Sequence, residues 1–177
     1  APAVAAGVDH RLGLLLDLHV KRRRQFGQEG AFSAAYLESF HHEVARALHR
    51  DGRLWLAWVE RAGTPLAIEY LLLGDRVAYS YQSGLNPTAL DEAPGALLLS
   101  LLIKRAIELG FHSYDLLRGD EPYKAHFRAA PVASSDLLIG HSHLSGRLAF
   151  RASVEGERLR ALARRAQRAL PLPQRRL

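Results

Sequence analysis

Three short strand patterns joined by two tight turns occupy residues 54–83, and no other stretch narrows the fold as much. The runs 54–60, 65–73 and 76–83 are rich in aromatic, aliphatic and β-branched residues. Ala62-Gly63-Thr64 makes the first turn and Gly74-Asp75 the second. Connections this short join antiparallel neighbours, so the spacing predicts an antiparallel meander. On the middle run Ala67, Glu69, Leu71 and Leu73 share one face, and Ile68, Tyr70 and Leu72 share the other. Glu69 is therefore an acid within an apolar strand. It is either a base of raised pKa or a group that reaches solvent at a sheet edge. Tyr79, Tyr81 and Ser83 fall on one face of the third run, as core or as the floor of a groove.

Helical patterns flank the meander. Residues 8–26 carry Leu12, Leu15, Leu16 and Val20 on one broad face, with the basic run Lys21-Arg22-Arg23-Arg24 near the end. Gly27 and Gly30 make a linker, and Ser33 is the expected N-cap of a second helix running to about residue 50. Its apolar stripe is Tyr36, Leu37, Phe40, Val44, Ala47 and Leu48. His41 and His42 form no pair at metal-ligand spacing and read as packed or surface residues. After a loop over 84–94, Gly95 opens a very apolar helix, 96–109, which should lie largely buried against the sheet and stops at Gly110. A loop running straight into a helix start leaves backbone N–H groups able to bind phosphate without a basic side chain. Gly84, Pro94, Gly95, Ala96 and Leu97 belong to that loop and helix start. The Gly-Lys-Ser/Thr ending of a P-loop is absent, as is a dinucleotide fingerprint.

Residues 111–128 hold the densest set of reactive side chains. A short strand ends near Leu117, Gly119 breaks the chain, and Pro122 restarts it as a short helix. Asp115, Arg118, Asp120, Glu121, Tyr123, Lys124, His126 and Arg128 all fall here. Such density at the C-terminal end of a strand marks either a ligand site or a salt-bridged corner. One more strand is expected at 132–141. A basic helix is expected from 155, with the narrow stripe Leu159, Leu162, Ala166 and Leu170, ending at Pro171 and Pro173.

Composition removes several function classes. The absence of cysteine excludes a disulfide scaffold, a thiol nucleophile and a thiolate metal site, and no metal is expected elsewhere. A net charge of +6 suits nucleic acid, anionic lipid or a phosphate-bearing small molecule. No zinc-finger spacing or aromatic platform supports the first. No apolar run approaches a membrane span and no intact signal peptide is present, so the expected location is cytoplasmic. Methionine is absent even at position 1, so a missing N-terminal domain stays open.

The order helix, helix, three antiparallel strands, helix, strand, short helix, strand, helical tail resembles the acyl-CoA N-acyltransferase (Gcn5-related acetyltransferase) superfamily, without an obvious first strand. The fold class implied is α/β (α+β): a mixed, mostly antiparallel sheet flanked by helices. Pro94-Gly95-Ala96-Leu97-Leu98-Leu99, then Asp115-Leu116-Leu117-Arg118-Gly119-Asp120-Glu121-Pro122-Tyr123-Lys124, look like the branch found in bacterial exopolysaccharide- and cellulose-associated proteins. Tyr81-Gln82-Ser83-Gly84 with Asn86-Pro87 also matches, and the branch is similar to Fem-type aminoacyl transferases. The likeness covers residues 8–142, leaving 143–177 as a basic helical tail.

The resemblance implies transfer of an acyl group from acetyl-CoA or another acyl-CoA to an amine of a sugar, peptide or cell-envelope precursor. Two alternatives stand beside it: a scaffold domain that has lost catalysis, and a transferase using a tRNA-borne donor. It places the donor pyrophosphate at Gly84, Pro94, Gly95, Ala96 and Leu97. The base is one of Asp115, Asp120, Glu121 or Glu69. Lys124 or a backbone N–H polarises the carbonyl, and Tyr123 is the acid. Arg118, Asp115, Tyr81 and His126 are the expected substrate contacts. Gly95 and Lys124 should face one cleft. A homo-oligomer, with the tail docked in the assembly, is a further expectation.

Overall fold

A computed structural model describes residues 2–25, 27, 34–135, 137, 139–140 and 143–169. The chain divides into two compact units, Ala1–Ala129 and Ala130–Leu177. The first contains α1 (Pro2–Gln25), α2 (Ala35–Arg50), β1 (Leu54–Arg61), β2 (Thr64–Leu73), β3 (Val77–Leu85), a 3-10 segment Pro87–Glu92, α3 (Pro94–Glu108), β4 (Ser113–Asp115) and α4 (Pro122–His126). The second contains α5 (Leu144–Ala169).

The two tight turns make the expected meander, and the sheet order is β1-β2-β3-β4. The first three strands pair antiparallel, whereas β4 runs parallel to β3. The alternation along β2 sorts its side chains between two cores. Ile68 and Tyr70 pack with Leu12, Leu15, Leu16 and Leu18 of α1 and Ala45 of α2. Ala67 and Leu71 pack with Ala78 and with Leu98 and Leu102 of α3. Helices α1 and α2 thus cover one face of the sheet and α3 the other.

Two irregularities shape β3. Tyr70 pairs with Gln82 but Leu71 pairs with Ser80, so Tyr81 is an extra residue, a β-bulge. The bulge shifts the alternation. Tyr81 packs its ring on His41 of α2, and the adjacent Gln82 reaches His19 of α1, so neighbouring residues serve the same face. The expected single face of Tyr79, Tyr81 and Ser83 breaks at this point. The second irregularity is the pairing with β4. It covers only Val77, Ala78 and Tyr79 against Ser113, Tyr114 and Asp115, although β3 runs on to Leu85. Beyond Tyr79 the two parallel strands separate.

Several expectations need correction. The stripe on α2 is rotated: His41 and Ala45 are the buried residues, and Tyr36 and Phe40 stay exposed. The α3 helix buries only one side, through Leu98, Leu99, Leu102 and Ala106, while Leu97, Leu101 and Ile107 are exposed. No strand forms among the described residues of 132–141; Asp136, Leu138 and His141 lie outside them. Helix α5 starts at Leu144, well before residue 155, and takes Gly146 into its first turns. Phe26, Gly30, the proposed cap Ser33 and the helix end at Leu170, Pro171 and Pro173 lie outside the described residues.

Candidate active site

The separation of β3 from β4 opens a cleft of about 580 Å³ in the first unit. One wall is β3 itself, from Ser80 to Ser83 and Leu85; the opposite wall is the chain after β4, Leu116 to Arg118. The start of α3 contributes Gly95 and Ala96, the end of α1 contributes His19, Arg22 and Arg23, and α4 contributes Tyr123 and Lys124. Gly95 and Lys124 therefore line the same cleft.

Glu69 lies within it, on β2 beneath β3. The side chain is buried, and the Ser80 hydroxyl donates a hydrogen bond to its carboxylate. Burial pushes its pKa up to about 7, against the smaller lowering effect of the Ser80 bond. The Tyr123 phenol faces the same region; burial, then the charges of Glu121 and Glu69, raise its pKa, so it stays protonated. Tyr114 of β4 is raised likewise, chiefly by burial, against a smaller lowering by the Ser80 hydroxyl. A carboxylate that titrates near neutrality beside a phenol that holds its proton is an arrangement able to take one proton and give another.

Lys124 is occupied differently from the expectation. It is only 8% exposed. Its Nζ donates to the carbonyl oxygens of Leu117, Arg118 and Gly119 at 3.0, 3.2 and 3.2 Å. It also lies 2.9 Å from the Glu121 carboxylate, whose pKa is lowered chiefly by that contact. An ammonium has three N–H donors, and these contacts engage them all. Lys124 is thus placed to brace the wall of the cleft rather than to polarise a carbonyl. Asp115 braces the same wall, accepting a 2.7 Å bond from the backbone N–H of Leu117, which sits at φ 55°.

The remaining expected residues divide plainly. Tyr81, Arg118 and Glu121 line the cleft with Glu69, Tyr123 and Lys124. Asp120, Asp115 and His126 are exposed and do not line it; the His126 ring packs edge-on against Phe127. Of the five residues expected at the donor phosphate, Gly95 and Ala96 line the cleft, and Gly84, Pro94 and Leu97 do not. Pro94 is buried in the first turn of α3, and Leu97 points its side chain outward. Gly84 serves packing: a Cβ there would lie 2.6 Å from the Leu15 carbonyl oxygen of α1. At Gly95 the missing Cβ leaves room for the Leu85 side chain, which would otherwise sit 3.0 Å away.

The start of α3 is sharply defined. Ala93 adopts left-handed angles, φ 50° and ψ 44°, directly before Pro94. For a residue with a Cβ this costs about 1 kcal/mol or more. It turns the chain so that the first helical turn opens at the cleft, where the Gly95 N–H and the positive end of the helix favour an anion; the Ala96 and Leu97 N–H groups donate to the Ala93 carbonyl.

Comparison with known proteins fits this geometry. The acetyltransferase (GNAT) domain model matches residues 3–125, more than half of the chain. The chain belongs to the acetyltransferase (GNAT) domain family. Two solved structures share the fold of this GNAT domain. A GCN5-related N-acetyltransferase from Ralstonia eutropha JMP134 aligns with a TM-score of 0.60 and 19% identity, over 74% of this chain and 94% of that one. A predicted acetyltransferase with acetyl-CoA from Clostridium acetobutylicum aligns with a TM-score of 0.58 and 14% identity, over 76% of this chain and 95% of that one. No curated protein matches the chain by sequence.

Sequence reasoning did not single out several lining residues of the GNAT domain, among them the polar His19, Arg22, Arg23, Ser80 and Gln82. Arg22 and Arg23 stand about one turn beyond His19 on α1, within the basic run 21–24, whose charge is evident in the sequence though its position at a cleft is not. The approach of Ser80 to Glu69 depends on the bulge at Tyr81, which no local pattern announces. Among the described residues no helix is long and apolar enough to cross a membrane, and no group of side chains could hold a metal ion.

Proposed function

We propose that this GNAT domain moves an acyl group from a CoA thioester to a primary amine, with Glu69 as general base and Tyr123 as general acid. One observation carries the reading. The divergence of β3 and β4 brings a helix N-terminus and a buried carboxylate of raised pKa into one cleft.

The residues present suit an acyl-CoA. The first turn of α3 offers the Gly95 N–H and the positive end of the helix to the pyrophosphate, since the Ala96 and Leu97 N–H groups donate to the Ala93 carbonyl and Pro94 has none. Leu98, Leu99 and Leu116 give an apolar wall for the pantetheine arm. Beyond Tyr79 no strand among the described residues lies beside the edge of β3 that faces away from β2, so its outward backbone groups can pair with the amides of that arm.

In the reaction the amine nitrogen attacks the thioester carbonyl carbon. A C–N bond forms and the C–S bond breaks. Glu69, directly or through one water, takes the proton that the amine loses. Tyr123 gives its proton to the departing thiolate. Backbone N–H groups on the open edge of β3 are the candidates for holding the carbonyl oxygen, since the Lys124 donors are engaged. An exopolysaccharide or cell-envelope amine as acceptor rests on the likeness of residues 94–99 and 115–124 alone.

The test is thiol release from acetyl-CoA and a longer acyl-CoA across a panel of amines, with acylated product read by intact mass. Turnover is expected for the wild type, with a rising limb in kcat/KM near pH 7. Glu69→Gln should lower kcat by about a hundredfold or more and remove that limb. Wild-type rates in Glu69→Gln would rule Glu69 out as the base.

A further inference from the structure

The cleft reaches both faces of the sheet by passing around the open edge of β3. On one face lies the start of α3, which suits the donor phosphates. On the other lies the end of α1. There the bulge at Tyr81 turns Gln82 toward α1, and the Gln82 amide meets His19 Nδ1 at 2.6 Å. His19 is buried, and burial lowers its pKa, so it stands neutral at the cleft floor. One turn further along α1 come Arg22 and Arg23, both lining the cleft.

Arg22 is half-buried and makes no ion pair among the described residues. The carboxylates that line the cleft with it, Glu69 and Glu121, are engaged elsewhere, as is Asp17 on the same helix. Asp17 holds Lys21 at 2.6 Å, Glu121 holds Lys124, and Glu69 accepts from Ser80. A guanidinium that is partly desolvated and lacks a protein anion is a ready fork for a carboxylate or phosphate.

We propose that Arg22, with Arg23 and His19 beside it, forms a subsite for an anionic group, carboxylate or phosphate, carried by the acceptor amine. This rests on the acyl-transfer reading above and adds a substrate class to it: acceptors bearing a negative charge. The other source of the same chemistry is a phosphate of the donor. The position of Arg22 on the face opposite α3 favours the acceptor, and saturation with CoA separates the two.

The experiment is calorimetric titration of inorganic phosphate into protein already saturated with CoA, for the wild type and Arg22→Ala. CoA fills its own phosphate sites first, so any saturable phosphate binding reports the second subsite. The wild type is expected to bind, and Arg22→Ala to bind about tenfold more weakly, the loss of one charge-assisted pair. The affinity for CoA itself should stay within about twofold, since no donor contact is removed. Equal phosphate binding in the two proteins, or none in the wild type, overturns the proposal. A fall in CoA affinity with phosphate binding intact assigns Arg22 to the donor and overturns it as well. Failure of the wild type to bind CoA at all contradicts the acyl-transfer reading itself, a result distinct from the other three.

Discussion

Two side chains in the cleft illustrate how burial can prepare one ionisable group and immobilise another. Among the described residues Glu69 accepts one side-chain hydrogen bond, from Ser80, and it meets little solvent, so its charged form is disfavoured and it titrates near neutrality. Lys124 is as buried, yet three carbonyls and a carboxylate keep it satisfied. Removing it would leave three inward carbonyls without a donor. Lys124→Ala should therefore lose about 2–4 kcal/mol of stability, read as a lower Tm, with activity falling because the wall of the cleft loosens. A variant with wild-type Tm and much reduced kcat would instead restore Lys124 to the chemistry.

At the scale of elements, the site depends on close approach and on one extra residue. Helix α1 can rest on β3 because Gly84 has no side chain to meet the Leu15 backbone. Gly84→Ala should cost about 1–3 kcal/mol in chemical denaturation, since the Cβ must push α1 away from the strand. An unchanged midpoint would mean that the helix moves freely there. The meander was legible from its turns, and α3 from its Pro-Gly start and Gly110 stop. So was the density of reactive residues between Asp115 and Lys124. The rest was not legible, for identifiable reasons. The partner of each reactive residue is set by how the chain turns back: Ser80 reaches Glu69 from the next strand, and the loop at 117–119 folds its carbonyls onto Lys124. The rotated face of α2 follows from His41 packing on Tyr70 and Tyr81, a contact that outweighs the apolar count of the stripe. The apolar run Leu137-Leu138-Ile139 suggests a strand, yet none forms among the described residues of 132–141, and an apolar run does not make a strand without a partner edge.

For the whole molecule, the raised pKa of Glu69 links folding to pH. A carboxyl that binds its proton more tightly when folded adds stability below its ordinary pKa of 4.5, and this is lost as pH rises through about 7. Glu69→Gln has no such loss. Relative to the wild type it should therefore gain stability across that interval, by roughly 3 kcal/mol at the upper end. Thermal unfolding of both proteins from pH 4 to 8 measures it, and parallel curves would mean that Glu69 is solvated. The matched family region, residues 3–125, falls within the first compact unit, so the cleft and its chemistry belong to that unit.

Everything proposed for the reaction requires the start of α3 to hold the donor phosphates. Calorimetric titration of acetyl-CoA into the wild type and Ala96→Asp tests this most directly. A carboxylate in the first turn suits the helix, so the Tm of Ala96→Asp should not fall. It should repel a phosphate, so acetyl-CoA is expected to bind the wild type and to bind the variant about tenfold or more weakly. Absence of binding to the wild type, or equal affinity in the two proteins, would contradict it.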